Sequence, residues 1–316
     1  MLELAEWVFL VLIVAQFILG NLGNGFIGLV NGSSWFKSKR ISLSEFIITN
    51  LALSRIISLW IIFIDGVLIV FFFHLHVSGT LMQIIDTFWT FVDHLSIWFI
   101  ACLGILYCLK IANFSHPIFF WLKWRVSKVV VWMLLSALLF SCARTMSLIN
   151  EFKLYFACSG IDSKGNMTEC FREKRHEYDL MHVLGNLWNL PPLIMSLISY
   201  FLLLFSLGRH TRQMEQNGIN SRDKSTEAHK RAIRIILSFL LFFLFYFISF
   251  LIFSFSRFVP QCKMSVMIGE VITMLNPVVH SFILILGNKK LEQAFLVMFP
   301  CKFGHLQPGS TEPFSP

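Results

Sequence analysis

Apolar residues in this chain run on for about 20 positions at a time, the length a helix needs to cross a hydrocarbon layer. They do not fall at every second position, as the lipid-facing side of a β-barrel strand would require. Seven such runs predict seven membrane-spanning helices: Trp7 to Val30, Ser44 to Phe71, Leu81 to Leu109, Val126 to Leu148, Met181 to Leu207, Ala232 to Ser256 and Ser265 to Leu286. An odd number of crossings puts the two chain ends on opposite sides. No repeat of the first half is visible in the second, and most connections are short.

The pattern changes after the seventh run. In "HSFILILGNKKLEQAFLVMF", Gly287 and Asn288 stop the span, and Leu291, Phe295, Met298 and Phe299 then recur at helical spacing. The chain is therefore read as an all-α membrane bundle over 1–287, a short amphipathic helix on the membrane surface over 288–300, and a disordered tail over 301–316. Cys301 would be a palmitoyl acceptor just beyond that helix.

Composition agrees with a lipid solvent. Of 316 residues, 56% are hydrophobic, 14% are charged and 35 are phenylalanine, more apolar surface than a soluble domain of this length could bury. The net charge of +8 is mostly a topology signal. Lys and Arg concentrate in the connections after the first, third and fifth spans and in the tail, as with Lys37, Lys39 and Arg40 in "WFKSKR". The positive-inside rule makes those segments cytoplasmic and leaves the N-terminus outside. The start of the chain lacks the basic residues of a cleaved signal peptide. A nucleic-acid partner is excluded, since that would need a basic face on a soluble module.

Topology also sorts the modification signals. Asn31, Asn113 and Asn166 each open an N-x-S/T triplet, and only Asn166 falls in a lumenal loop where a glycan can be added. Of seven cysteines, Cys158, Cys170 and Cys262 face the oxidising side. Cys158 and Cys170 either bridge within one loop or remain thiols.

Few polar residues sit inside the spans, so each needs a reason. Arg55 lies near the middle of the second, where an arginine is disfavoured by about 2.5 to 3.5 kcal/mol unless it faces the bundle and donates to partners. Asn24 in the first span, and Ser281 or the carbonyls of the seventh, are at matching depth. Two readings stay open: a hydrogen-bonded clasp between helices, or a clasp with two arrangements that takes part in switching.

In the third span Asp86, Trp89 and Asp93 share one helical face, and counting from Leu81 places Asp93 about 18 Å below the outer surface. A carboxyl and an indole at that depth imply a cavity open to the outside. Glu270 in the seventh span and Tyr246, Ser249, Phe250 and Phe253 in the sixth would complete a small-molecule pocket. The alternative is an aromatic core with satisfied carboxyls.

Catalysis finds no support. Asp86 and Asp93 are about 10 Å apart, too far to share a proton, and His74 and His76 have no third ligand nearby for a metal. No phosphate-binding or hydrolase motif occurs, and no cofactor is implied. A transporter would show paired repeats with matched helix breaks. Here Pro191 and Pro192 stand alone, read as a kink opening the outer half of the fifth span.

Several stretches taken together resemble the type 2, or bitter, taste receptors among the seven-helix G-protein-coupled receptors. They are "LALSR" in the second span, "LGILYCLKIANFSHPIFFWLKWRV" in the third and its following loop, "SLGRHTRQM" at the end of the fifth, "STEAHKRAIR" opening the sixth and "HSFILILGNKKL" in the seventh. The resemblance implies a plasma-membrane receptor for bitter small molecules that activates a gustducin-type heterotrimeric G protein. It implies pocket positions at Trp89, Asp93 and His94, and an inner polar cluster of Asn24, Arg55 and Ser281. Tyr107, Lys110, His210 and His229 match the G-protein side, and Asn166 the loop glycan. Lys224 stands where a proline is usual, and Asp93 where asparagine is common. Ionised, Asp93 would favour cationic ligands; burial would instead leave it neutral.

Overall fold

The computed structural model describes residues 3–38, 41–72, 80–112, 114–159, 184–216, 233, 236–241, 244–245, 247–248 and 263–298. Those residues form helices and no strands. They are α1 (Leu4–Ser38), α2 (Leu43–Phe71), α3 (Thr80–Ile111), α4 (Pro117–Trp124), α5 (Val126–Ser159), a 3-10 turn (Asn186–Asn189), α6 (Leu190–Gln216), α7 (Lys263–Gly287) and α8 (Lys289–Met298). Six are long and apolar enough to cross a membrane: α1, α2, α3, α5, α6 and α7. The described positions of the sixth predicted span are all helical, and with them the chain is a seven-helix membrane bundle.

Most of these helices outlast the apolar runs that predict them. α1 has 35 residues, about 52 Å of helix at 1.5 Å per residue, against a hydrocarbon layer of about 30 Å. Hydropathy marks the lipid core, whereas the helix continues wherever its backbone groups still need partners. The hydropathy pattern does not predict α4, a two-turn helix that starts on Pro117 after His116 and leaves Ile118, Phe120, Trp121 and Trp124 exposed.

α3 is the central helix. It packs against α2, α5 and α6, while α1 packs on α2 and α7. The apolar stretch of α3 is 78% buried within the protein, against 17% for α1 and α5, whose outer faces meet lipid. The largest core joins Ile47, Ile48 and Leu51 of α2 to Ile100, Leu103 and Leu106 of α3, and reaches Leu291 of α8.

Without a hydrophobic drive between helices in lipid, close approach through small residues does much of the holding. Gly20 and Gly23 of α1 supply it. A Cβ at Gly20 would come within 2.6 Å of Leu59 on α2, and one at Gly23 within 2.5 Å of the buried Ser281 hydroxyl on α7. Gly23→Leu is expected to lower the thermal midpoint and cut surface expression severalfold, since overpacking costs about 1 to 3 kcal/mol. Surface labelling of intact cells checks this.

Ser42 and Glu45 form a reciprocal capping box that opens α2. Glu45 also pairs with Lys290, tying α8 to that end of α2. Asn288 caps α8, its Oδ1 accepting from the Lys290 N–H at 3.0 Å. Leu291 is fully buried and Phe295 meets Phe26 edge-on at 5.8 Å. Met298, expected on the same face, is instead 61% exposed together with Leu296 and Val297. One side of α8 thus packs on the bundle through Leu291 and Phe295, and the apolar side chains of its last turn are exposed. Phe299 and the tail lie outside the described residues.

Candidate functional site

Asp86, Trp89 and Asp93 are part-buried along α3, and Glu270 is part-buried on α7. Trp89 packs against the core cluster of Phe9, Ile13, Leu59, Ile62, Val266 and Met267, which joins α1, α2 and α7. Its indole Nε1 is buried with no hydrogen-bond partner among the described residues. A buried donor left without an acceptor costs about 1 to 3 kcal/mol, so it is a group prepared to receive one. Tyr246, Ser249, Phe250 and Phe253, the expected opposite wall, lie outside the described residues.

His94 is placed differently from its neighbours. It is 2% exposed, and both ring nitrogens are engaged: Nδ1 is 2.9 Å from Ser141 Oγ on α5 and Nε2 is 3.1 Å from the Trp188 carbonyl. The carbonyl only accepts, so Nε2 carries the proton, and in the neutral ring Nδ1 accepts from the serine hydroxyl. The sequence explains why Trp188 has a carbonyl to offer. Its α-helical donor would be the N–H of residue 192, which is proline. Leu187 loses its donor to Pro191 in the same way and takes the Leu190 N–H in a 3-10 turn instead. The proline pair, expected to kink the outer half of the fifth span, stands in the first turn of α6, and it frees one carbonyl that α3 uses. Around this clasp Trp98 stacks on Phe140 at 5.5 Å, and Phe140 reaches Trp188 at 6.2 Å. His94→Phe strands both partners and is expected to destabilise the bundle by about 2 kcal/mol, read as a lower thermal midpoint of the detergent-purified protein.

The inner polar cluster is assembled by α1, α2 and α7. Arg55, 2% exposed, donates from Nη1 to Nδ1 of His280 at 2.7 Å. Asn24 donates from Nδ2 to the Gly20 carbonyl at 2.8 Å and to the Pro277 carbonyl at 3.2 Å, while Ser281 donates to the Val278 carbonyl at 2.7 Å. Asn24 and Ser281 are thus beside Arg55's partner, and the side chain shown accepting from the arginine is His280. Phe239 of the sixth span packs on the His280 ring at 4.5 Å. The cluster therefore touches four spans. Next to Arg55 in α2, Ser54 lies 2.8 Å from Ser96 on α3 and joins the two helices there.

The protein-family comparison matches the taste receptor protein (TAS2R) model over residues 1–302. Among curated proteins, the chain is 67% identical over 310 residues to taste receptor type 2 member 3 of Papio hamadryas, covering 98% of each chain. It is 66% identical over 313 residues to taste receptor type 2 member 3 of Homo sapiens, covering 99% of each, and 62% identical over 308 residues to that of Mus musculus, covering 98% of each. The chain belongs to the taste receptor protein family. It is a multi-pass membrane protein and a signalling receptor, not an enzyme.

In this taste receptor, Tyr107 sits part-buried where two core clusters meet, next to Cys108, Leu203 and Leu207, and Lys110 and His210 are exposed at the neighbouring ends of α3 and α6. His229 and Asn166 lie outside the described residues. Asn31 is 2% exposed inside α1, which closes that glycosylation triplet irrespective of topology. Cys102 and Cys108 are buried thiols, and Cys142 is an exposed one. His280 and Arg144 are among the buried polar residues that have no role in the sequence reading. His280 shows only as a polar position beside Ser281 in an apolar run. Arg144, 4% exposed, lies against Gly185, where a Cβ would come within 2.8 Å of its guanidinium.

Proposed function

We propose that this taste receptor binds bitter small molecules from the outer side and activates a gustducin-type heterotrimeric G protein at the inner side. Trp89, Asp93 and Glu270, with Tyr246, Ser249, Phe250 and Phe253, line the pocket, and His94 braces its α3 wall against α5 and α6. Tyr107, Lys110, His210 and His229 form the G-protein face. The receptor sits in the plasma membrane with its N-terminus and Asn166 outside. The observation that carries the ligand reading is the Trp89 indole, buried without a partner among the described residues at the outer end of the central helix.

The mechanism is a shift of populations. An agonist that favours the active arrangement moves the balance only by its differential affinity for the two states. Arg55, His280 and Asn24, joined to the sixth span through Phe239, are the element with two arrangements. Calcium responses to a panel of bitter compounds, in cells given a taste-type G protein, test the reading. Responses that need the G protein support it, and ligand-gated current without one supports a channel instead. Asp93→Asn is expected to separate agonists by charge, weakening cationic ones about tenfold and sparing neutral ones, as read from concentration–response curves.

A further inference from the structure

We propose that the inner end of α6 carries a seat for an anionic phospholipid. A cavity of about 540 Å³ opens there, lined among the described residues by Leu204, Phe205, Gly208, Arg209, Arg212 and Gln213. Its two halves differ in chemistry. Leu204 and Phe205 make an apolar wall toward the membrane centre, and Arg209 and Arg212, three residues apart, make a cationic wall toward the surface. From Leu204 to Gln213 the helix rises about 13 Å, enough to span a phosphate, its glycerol and the first acyl carbons.

Three features favour this occupant. Neither guanidinium has a hydrogen-bond or ion-pair partner among the described residues, although like charges one turn apart repel unless an anion lies between them. Gly208, in the middle of the wall, leaves open space: a Cβ there would meet nothing within 4 Å. The lining residues also lie across the helix from Leu203, Leu207 and Thr211, which occupy its buried side. Phe205 is held in place by stacking on Phe114 at 6.4 Å. Arginine forks suit phosphate oxygens, and anionic lipids are enriched in the cytoplasmic leaflet. A free anion would use the arginines and leave the apolar half empty.

The choice of leaflet rests on the orientation proposed above; binding in detergent does not, so the two can fail separately. Native mass spectrometry of the delipidated full-length receptor, titrated with phosphatidylserine or phosphatidylcholine, reads the site directly. Wild type is expected to retain phosphatidylserine preferentially. Arg209→Ala/Arg212→Ala is expected to weaken that retention about 30-fold, at about fivefold per guanidinium. Gly208→Leu, which keeps both charges and fills the groove, is expected to lose it as well. All three residues are solvent-facing or beside open space, and a thermal midpoint matching wild type checks each variant's fold. Undiminished phosphatidylserine retention in either variant overturns the proposal, as does equal displacement by soluble glycerophosphoserine, which has the headgroup without the chains.

Discussion

His280→Ala is expected to cost this receptor about 2 to 3 kcal/mol and several degrees of thermal midpoint. Arg55 is 2% exposed and donates to His280 at 2.7 Å, a charge-assisted bond worth about 1.5 to 3 kcal/mol net. Removing the acceptor keeps the cation in a place with no bulk water to replace it. Arg55→Ala removes the charge together with the bond, so it is expected to lose less stability. A double-mutant cycle on the purified protein gives the coupling, expected at about 1.5 kcal/mol or more. The same variants separate clasp from switch. For a switch, receptor that reaches the cell surface has altered basal or agonist-dependent signalling. If surface-matched Arg55→Ala signals with wild-type ligand dependence, the cluster is a clasp only.

Trp89 carries the second large effect. Trp89→Phe keeps an aromatic ring against the core cluster and deletes the N–H that has no partner among the described residues. Agonists with a hydrogen-bond acceptor are expected to lose about 5- to 30-fold in potency, the equivalent of about 1 to 2 kcal/mol, while purely apolar ones change little. Trp89→Ala removes the ring as well and is expected to weaken nearly every agonist by about 30-fold or more. Concentration–response curves at matched surface expression decide it. A uniform small loss in both variants would show that the indole packs the core and does not meet ligand.

How far these features were legible in the sequence follows from their physics. Spans are a property of long apolar runs, so all seven are visible without coordinates, whereas α4 is too short and too mixed to register as a run. Arg55 stands out because a charge in lipid is exceptional. Its partner does not, because choosing His280 over the adjacent Ser281 depends on which side of α7 faces α2, and that is set by the Gly20 and Gly23 contacts of α1. The proline pair announces missing backbone donors; that one freed carbonyl meets His94 is a relation between α3 and α6 that no local pattern encodes. His94 itself, expected against the ligand, has both nitrogens committed to neighbouring helices. The cavity at the inner end of α6 depends on a missing side chain at Gly208, which in sequence looks like any glycine near a helix end.

The central claim is that an agonist held at the outer end of α3 changes the inner ends of the helices through the Arg55 cluster. Spin labels on unnatural residues at Lys37, in the last turn of α1, and at Ala232, the expected start of the sixth span, measure this in nanodiscs. An agonist concentration that just saturates wild type is expected to shift its distance distribution, to shift that of Trp89→Ala only when raised by about 30-fold or more, and to leave surface-competent Arg55→Ala unshifted. Agonist binding at full occupancy with an unchanged wild-type distribution would contradict it.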